Sequence, residues 1–233
     1  MPISLGLSRS DGKSIKNKDG AGSSSSVSYE KNEDALKSLK QKTFEKDNYT
    51  CQCCGFKSQK YQDIHNFSQD GGEDYKTVCI FCHQCFNLDK VNAMRSGYLL
   101  WLPEIPQATL HHIARAIYVA RISQGPIADA ARKALEEIRL RQQAIQERIG
   151  TDDVYVLATV LQDYLTKGHY QRREKKLEGI RLFPADRRII KEADLEFNQF
   201  PQILAYWRSK SGPFGDKNPQ KWFDIYHDLK KTA

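Results

Sequence analysis

All six cysteines of this 233-residue chain fall in one stretch, DNYTCQCCGFKSQKYQDIHNFSQDGGEDYKTVCIFCHQCFN, from Asp47 to Asn87. Cys51 and Cys54 form a C-x-x-C pair, and Cys79, Cys82 and Cys85 form two overlapping ones. Two residues between cysteines let a tight turn present both sulfurs on one side, with its backbone N–H groups softening the thiolate charge. Two such turns complete the tetrahedron of a structural zinc site. The predicted ligands are Cys51, Cys54, Cys79 and Cys82, holding one structural Zn²⁺. A rival register pairs Cys82 with Cys85 and leaves Cys79 as a buried thiol. Cys53 lies inside the first turn and is expected to point away from the metal. Disulfides fit this spacing poorly. The opening MPISLGLSRS lacks the apolar core of a signal peptide, so a cytosolic compartment that keeps thiols reduced is expected.

The rest of the chain frames that module. Residues 1–30, rich in Ser, Gly and Lys with the run Ser23 to Ser26, read as a disordered arm. A short helix from Asn32 to Lys46, with Leu36, Leu39 and Phe44 on its inner face, is expected to cap the metal site. Tyr61–Phe67 and Tyr75–Ile80 should form a hairpin about the Gly71-Gly72 turn, with Gly55 turning the chain out of the first knuckle. So small a hairpin buries little, and the metal must supply the missing stability, on the order of 10 kcal/mol.

Leu99 to Leu102 form a short apolar strand or connector stopped by Pro103. Helices are expected at 107–123, after Gly125-Pro126 as far as Gly150, and from an N-cap at Thr151 to Gly168. Glu137 and Arg141 have the spacing of an i,i+4 pair. His111 and His112 read as solvated or hydrogen-bonded helix residues. Ile189, Ile190, Leu195 and Phe197 suggest another short helix. The last stretch holds Trp207, Phe214, Trp222, Phe223 and Tyr226, aromatics that pack back or dock a partner. The predicted fold class is α+β, a small zinc-bound ββα module at 31–104 followed by a mostly helical region at 105–200 and an aromatic tail at 201–233.

Charge narrows function less. Thirty-six basic against 29 acidic residues give +7 and an isoelectric point near 9.0, with a mean hydropathy of −0.65. That balance permits nucleic acid, an acidic protein surface or anionic lipid as partner, and QRREKK, Gln171 to Lys176, is its densest cluster. No apolar run approaches the roughly 20 residues of a membrane helix.

The order K-D-N-Y-T-C-Q-C-C-G, then V-C-I-F-C-H, resembles the zinc-bound form of the HNH nuclease fold. Such an enzyme needs a histidine base on the first strand beside a divalent cation. Here Asp63 is followed by Ile64. His65 comes one residue late and is predicted on the wrong side of the hairpin. Asp74 stands at best where the orienting asparagine belongs, and only His83 matches the family's metal-binding histidine. A metal-dependent nuclease or a nucleic-acid-binding zinc protein is therefore the alternative reading.

A closer resemblance rests on five motifs in order: FEKDNYTCQCCGF from Phe44 to Phe56, YQDI from Tyr61, FCHQCF from Phe81, LPEI from Leu102 and IRLFP from Ile180. Together they resemble the IcmJ/DotN family of Dot/Icm type IVB secretion and related conjugation systems, over roughly residues 36–200. The resemblance implies a non-enzymatic, cytoplasmic component of the coupling complex at the inner membrane, with an HNH-like fold and a structural zinc held by Cys51, Cys54, Cys79 and Cys82. Its implied partners are the C-terminal extension of a DotL-type coupling ATPase, a DotM-like protein and IcmS/IcmW-like adaptors.

Overall fold

The computed structural model describes residues 3–7, 26–68, 72–192, 194–215 and 219. It is a mixed α+β fold with small two-stranded sheets. In order, the elements are α1 (Ser26–Lys46), β1 (Gln62–Asn66), β2 (Tyr75–Cys79), α2 (Ile80–Cys85), α3 (Leu88–Met94), β3 (Gly97–Trp101), α4 (Gln107–Arg121) and α5 (Pro126–Ile149). After α6 (Val154–Thr159) comes a π-helical turn at Val160–Tyr164. Then follow α7 (Lys167–Gln171), α8 (Arg173–Lys176), β4 (Ile180–Pro184), β5 (Ile189–Glu192), β6 (Leu195–Asn198) and α9 (Phe200–Arg208). Among the described residues no helix is long and apolar enough to cross a membrane.

The β3–β4 ribbon organises the interior because strand side chains alternate between faces. Leu99 pairs with Leu182, and Tyr98 with Phe183. Leu100 and Phe183 therefore face a hydrophobic cluster that also holds the β1–β2–α2 unit, α4 and α9. Leu99 and Leu182 face a second cluster built on Leu88, Ile145, Val154, Leu157 and Leu161. The first cluster runs from Cys51 to Trp207, so the boundaries expected at residues 104 and 200 fall inside one core.

Several expectations are corrected. Residues 3–7, assigned to the arm, are packed: Leu5 is buried, Gly6 N donates to Cys85 O at 2.8 Å, and Leu88 N donates to Gly6 O at 2.9 Å. Arg173 of the QRREKK cluster donates through Nε to Leu5 O at 2.8 Å, and Leu7 N donates to the Tyr170 hydroxyl at 2.9 Å. A Cβ on Gly6 would lie 3.0 Å from that hydroxyl, a close approach that the Tyr170 ring would have to yield to. Arm residues 8–25 lie outside the described residues.

Helix α1 lies along the hairpin rather than over the cysteines. Lys40 pairs with Asp63 at 2.8 Å, Asp47 accepts from Thr77 N at 2.7 Å, and Leu36 stays exposed. The N-cap of α6 is Asp153, which accepts from Tyr155 N at 2.7 Å, while Thr151 Oγ1 accepts from Asp153 N. Arg141 reaches Glu104 at 3.5 Å instead of Glu137. Ile189 to Phe197 form the β5–β6 hairpin, not a helix; β-branched Ile189 and Ile190 and the two-residue spacing of Leu195 and Phe197 suit strands.

Part of the aromatic tail packs back. Trp207 is 1% exposed, with its ring edge-on to Phe56 at 5.8 Å and to Phe81 at 5.6 Å, and Phe214 stacks on Phe56 at 6.2 Å. Trp222, Phe223 and Tyr226 lie outside the described residues. Truncating so large a buried ring leaves a cavity, so Trp207→Ala is expected to cost about 3–5 kcal/mol, read as a lowered urea midpoint.

Candidate metal centre

The first cysteine pair sits on a hydrogen-bonded knuckle. Cys51 N donates to Phe56 O at 2.9 Å, and Gly55 N donates to Cys51 O at 2.8 Å. Gly55 closes the turn at φ +74°, in the region that favours glycine. The second pair comes from the end of β2 and the first turn of α2, where Cys82 N donates to Cys79 Sγ at 3.5 Å.

The sulfurs of Cys51, Cys54, Cys79 and Cys82 all lie within 4.8 Å of one another, a group able to hold a metal ion. A tetrahedron with metal–sulfur bonds of roughly 2.3 Å has edges of about 3.8 Å. The Cys54–Cys79 separation is 3.7 Å, so the donor set fits a tetrathiolate zinc. None of the six cysteines is in a disulfide.

Cys85 stands outside this group, its thiol donating to Phe81 O at 3.5 Å. Cys53 stands outside the four-sulfur group. It is half-buried beside the cluster, and interaction with Cys51 pushes its thiol up to about 12. Hydrogen bonds from the neighbouring thiols hold Cys51 far down. Cys51 opposes ionisation of Cys54, yet Cys79 and Cys82 bring the Cys54 thiol down to about 6. Burial raises Cys79, and hydrogen bonding with Cys51 raises Cys82. Four sulfurs this close need a cation before all of them ionise.

Helix α4 supplies the surroundings. Arg115, 1% exposed, places Nη2 at 2.7 Å from Cys79 Sγ and 3.7 Å from Cys54 Sγ. Its guanidinium carbon lies 4.0 Å from the Phe56 ring centre and 4.9 Å from that of Phe81.

One turn earlier, His111 is fully buried, with Nδ1 3.3 Å from Cys82 Sγ. Its tautomer follows from Gln107. The Gln107 Oε1 accepts from Leu182 N at 3.0 Å, so its Nε2 donates to Leu182 O at 2.7 Å and to His111 Nε2 at 2.8 Å. His111 Nε2 is thus the acceptor, and Nδ1 carries the proton it gives to Cys82. Burial, then Arg115, keeps this ring neutral. His112, exposed, donates to Cys54 O at 2.6 Å.

The nuclease-like face is arranged differently from expectation. Strand alternation sets Asp63 and His65 together and buries Ile64 on the other side. The His65 ring stacks on Phe86 at 4.6 Å and stands 6.3 Å from the His83 ring, so it faces α2 rather than away from it. Burial pushes the Asp63 carboxyl up, but His83 and the Lys40 ammonium outweigh it and hold the group below its ordinary value. Burial brings His83 down to about 4. Among the described residues these groups form no metal-holding set; Lys40 occupies the carboxylate instead.

No family model matches the chain. Over 175 residues it is 31% identical to the type 4 apparatus protein DotN of Legionella pneumophila subsp. pneumophila (strain Philadelphia 1), covering 72% of this chain and 81% of DotN. This chain belongs to the DotN family. The resemblance carried by the five sequence motifs is thereby borne out.

For this DotN-family chain the structure brings together the four predicted cysteines and adds Arg115 and Gln107, to which the sequence assigns no role, and His111, expected to be solvated or hydrogen-bonded and found bonded to Cys82. The available signal was their spacing: positions 107, 111 and 115 line one helical face amid apolar residues, where polar side chains need partners. If Cys79 is a ligand and Cys85 is not, Cys85→Ala should keep its full zinc content in elemental analysis, whereas Cys79→Ala should lose it. The reverse result would restore the rival register.

Proposed function

We propose that this chain is a non-catalytic, zinc-stabilised component of a type IVB secretion coupling complex. It binds the C-terminal extension of a DotL-type ATPase, alongside DotM-like and IcmS/IcmW-like components, and helps recruit substrates for export. It works on the cytoplasmic side, peripheral to the inner membrane through that complex. The observation that carries this reading is the likeness to DotN, a type 4 apparatus protein, over 81% of DotN's length.

Two features of the site support the non-catalytic part. A metal held by four cysteine sulfurs has no open position for water or substrate, which is the arrangement of structural rather than catalytic zinc. On the neighbouring ββα face, where an HNH-like enzyme would need a cation, the Lys40 ammonium sits 2.8 Å from Asp63. Position 64, aligned with the base, is isoleucine. The fold then serves as a binding body rather than a nuclease.

The direct test is co-expression with a tagged ATPase extension. The full chain is expected to co-elute with it, and the Cys51→Ser variant, its module unfolded, is expected to be lost from the eluate. An extension that retains no chain would overturn the assignment. In a second measurement, the purified chain with plasmid DNA and Mg²⁺, Mn²⁺ or Ni²⁺ is expected to leave the plasmid supercoiled. Nicking that His83→Ala abolishes would establish the nuclease reading instead.

A further inference from the structure

Arg115 is a buried cation whose anionic partners are the cluster sulfurs. Its Nη2 meets Cys79 at 2.7 Å and Cys54 at 3.7 Å, while its buried Nε and Nη1 have no hydrogen-bond partner. Its remaining neighbours are the faces of Phe56 and Phe81, and both rings carry Trp207 of α9 on their edges. A guanidinium so placed is stable beside concentrated negative charge and costly without it. A zinc bound by four thiolates leaves a net charge of −2 on the complex, and Arg115 offsets part of it. If the ion leaves, the mutual repulsion of four thiolates is no longer offset, the sulfurs take up protons, and the cation of α4 loses its anionic partner.

We propose that Arg115 is the counter-charge of the four-cysteine centre and that, through it, metal occupancy latches α4 and α9 onto the ββα unit. The inference rests on the cluster being a metal centre. The metal then governs more than its own knuckles. It fixes the helix that carries His111 and Arg115, and with the Phe56–Phe81–Trp207 stack it fixes the C-terminal helix. The second hydrophobic cluster, centred on α6, has its own packing and stands outside the latch.

The test uses the full-length, zinc-loaded chain and hydrogen exchange before and after chelation. Residues 107–121 and 200–208 are expected to lose protection together with 75–85, while 154–159 keeps its own. Unchanged protection in 107–121 after the zinc is gone, or uniform loss in every segment, would overturn the latch.

The second arm measures how fast a chelator extracts zinc. Arg115→Met keeps bulk but removes charge and should release zinc roughly tenfold faster or more, the scale on which groups behind metal ligands act. Arg115→Lys should stay close to the wild-type rate. A methionine variant that holds zinc as well as wild type, or a lysine variant as leaky as methionine, would overturn the counter-charge role. If the methionine variant does not fold, the exchange experiment on the unmutated chain decides. A chain that binds no zinc would sink the metal reading and the latch together; a zinc-loaded chain whose α4 ignores zinc would sink the latch alone.

Discussion

Everything near the centre of this molecule depends on holding four sulfurs within 4.8 Å inside a protein interior. Thiols alone do not seek such company, because each ionisation raises the cost of the next. Local geometry and a surrounding frame make the arrangement possible. The Gly55 turn closes the first knuckle on its own carbonyls, the start of α2 gives the Cys82 N–H to Cys79 Sγ, α4 brings a guanidinium and an imidazole N–H, and Phe56, Phe81 and Trp207 pack around them. The hairpin itself is too small to supply this, so the helices that follow it are part of the site and not an appended domain.

Local chemistry was legible in the sequence, and tertiary partnership was not. The C-x-x-C pairs, the glycines at 55 and 150, the hairpin and the long helix after Pro126 follow from rules acting over a few residues, and the structure has them. Arg115 and His111 lie on a helix that reads as ordinary amphipathic sequence. Their role exists only because the chain returns that face to Cys54, Cys79 and Cys82. The N-terminal strap failed for another reason. Ile3, Leu5 and Leu7 alternate as a strand should, but thirty residues of Ser, Gly and Lys diluted the signal. At Ile189–Phe197 the misreading came from a choice of period, helical where two-residue spacing held.

The hairpin face toward α2 shows how strand alternation sorts neighbouring side chains. Asp63 keeps the face toward α2, Ile64 goes into the hairpin's buried side, and His65 arrives beside His83 as part of an aromatic stack with Phe67 and Phe86. Burial keeps both imidazoles from charging easily. The result is a packed, ion-paired surface.

The basic balance of the chain looks different once its side chains are followed. Arg115 faces the sulfurs and Arg173 holds the N-terminal strap. Arg148 covers the Trp101 ring at 3.8 Å, Arg181 Nε donates to Ile105 O at 2.7 Å, and Arg208 donates to Ser123 Oγ at 2.9 Å. A duplex-binding surface needs its cations deployed toward one groove or along one backbone. These guanidiniums instead serve carbonyls, rings and thiols of their own chain. A share of the positive charge is thus engaged by groups of the fold itself. Compensation of internal groups by arginine is the feature that the four-cysteine cluster and the strap have in common.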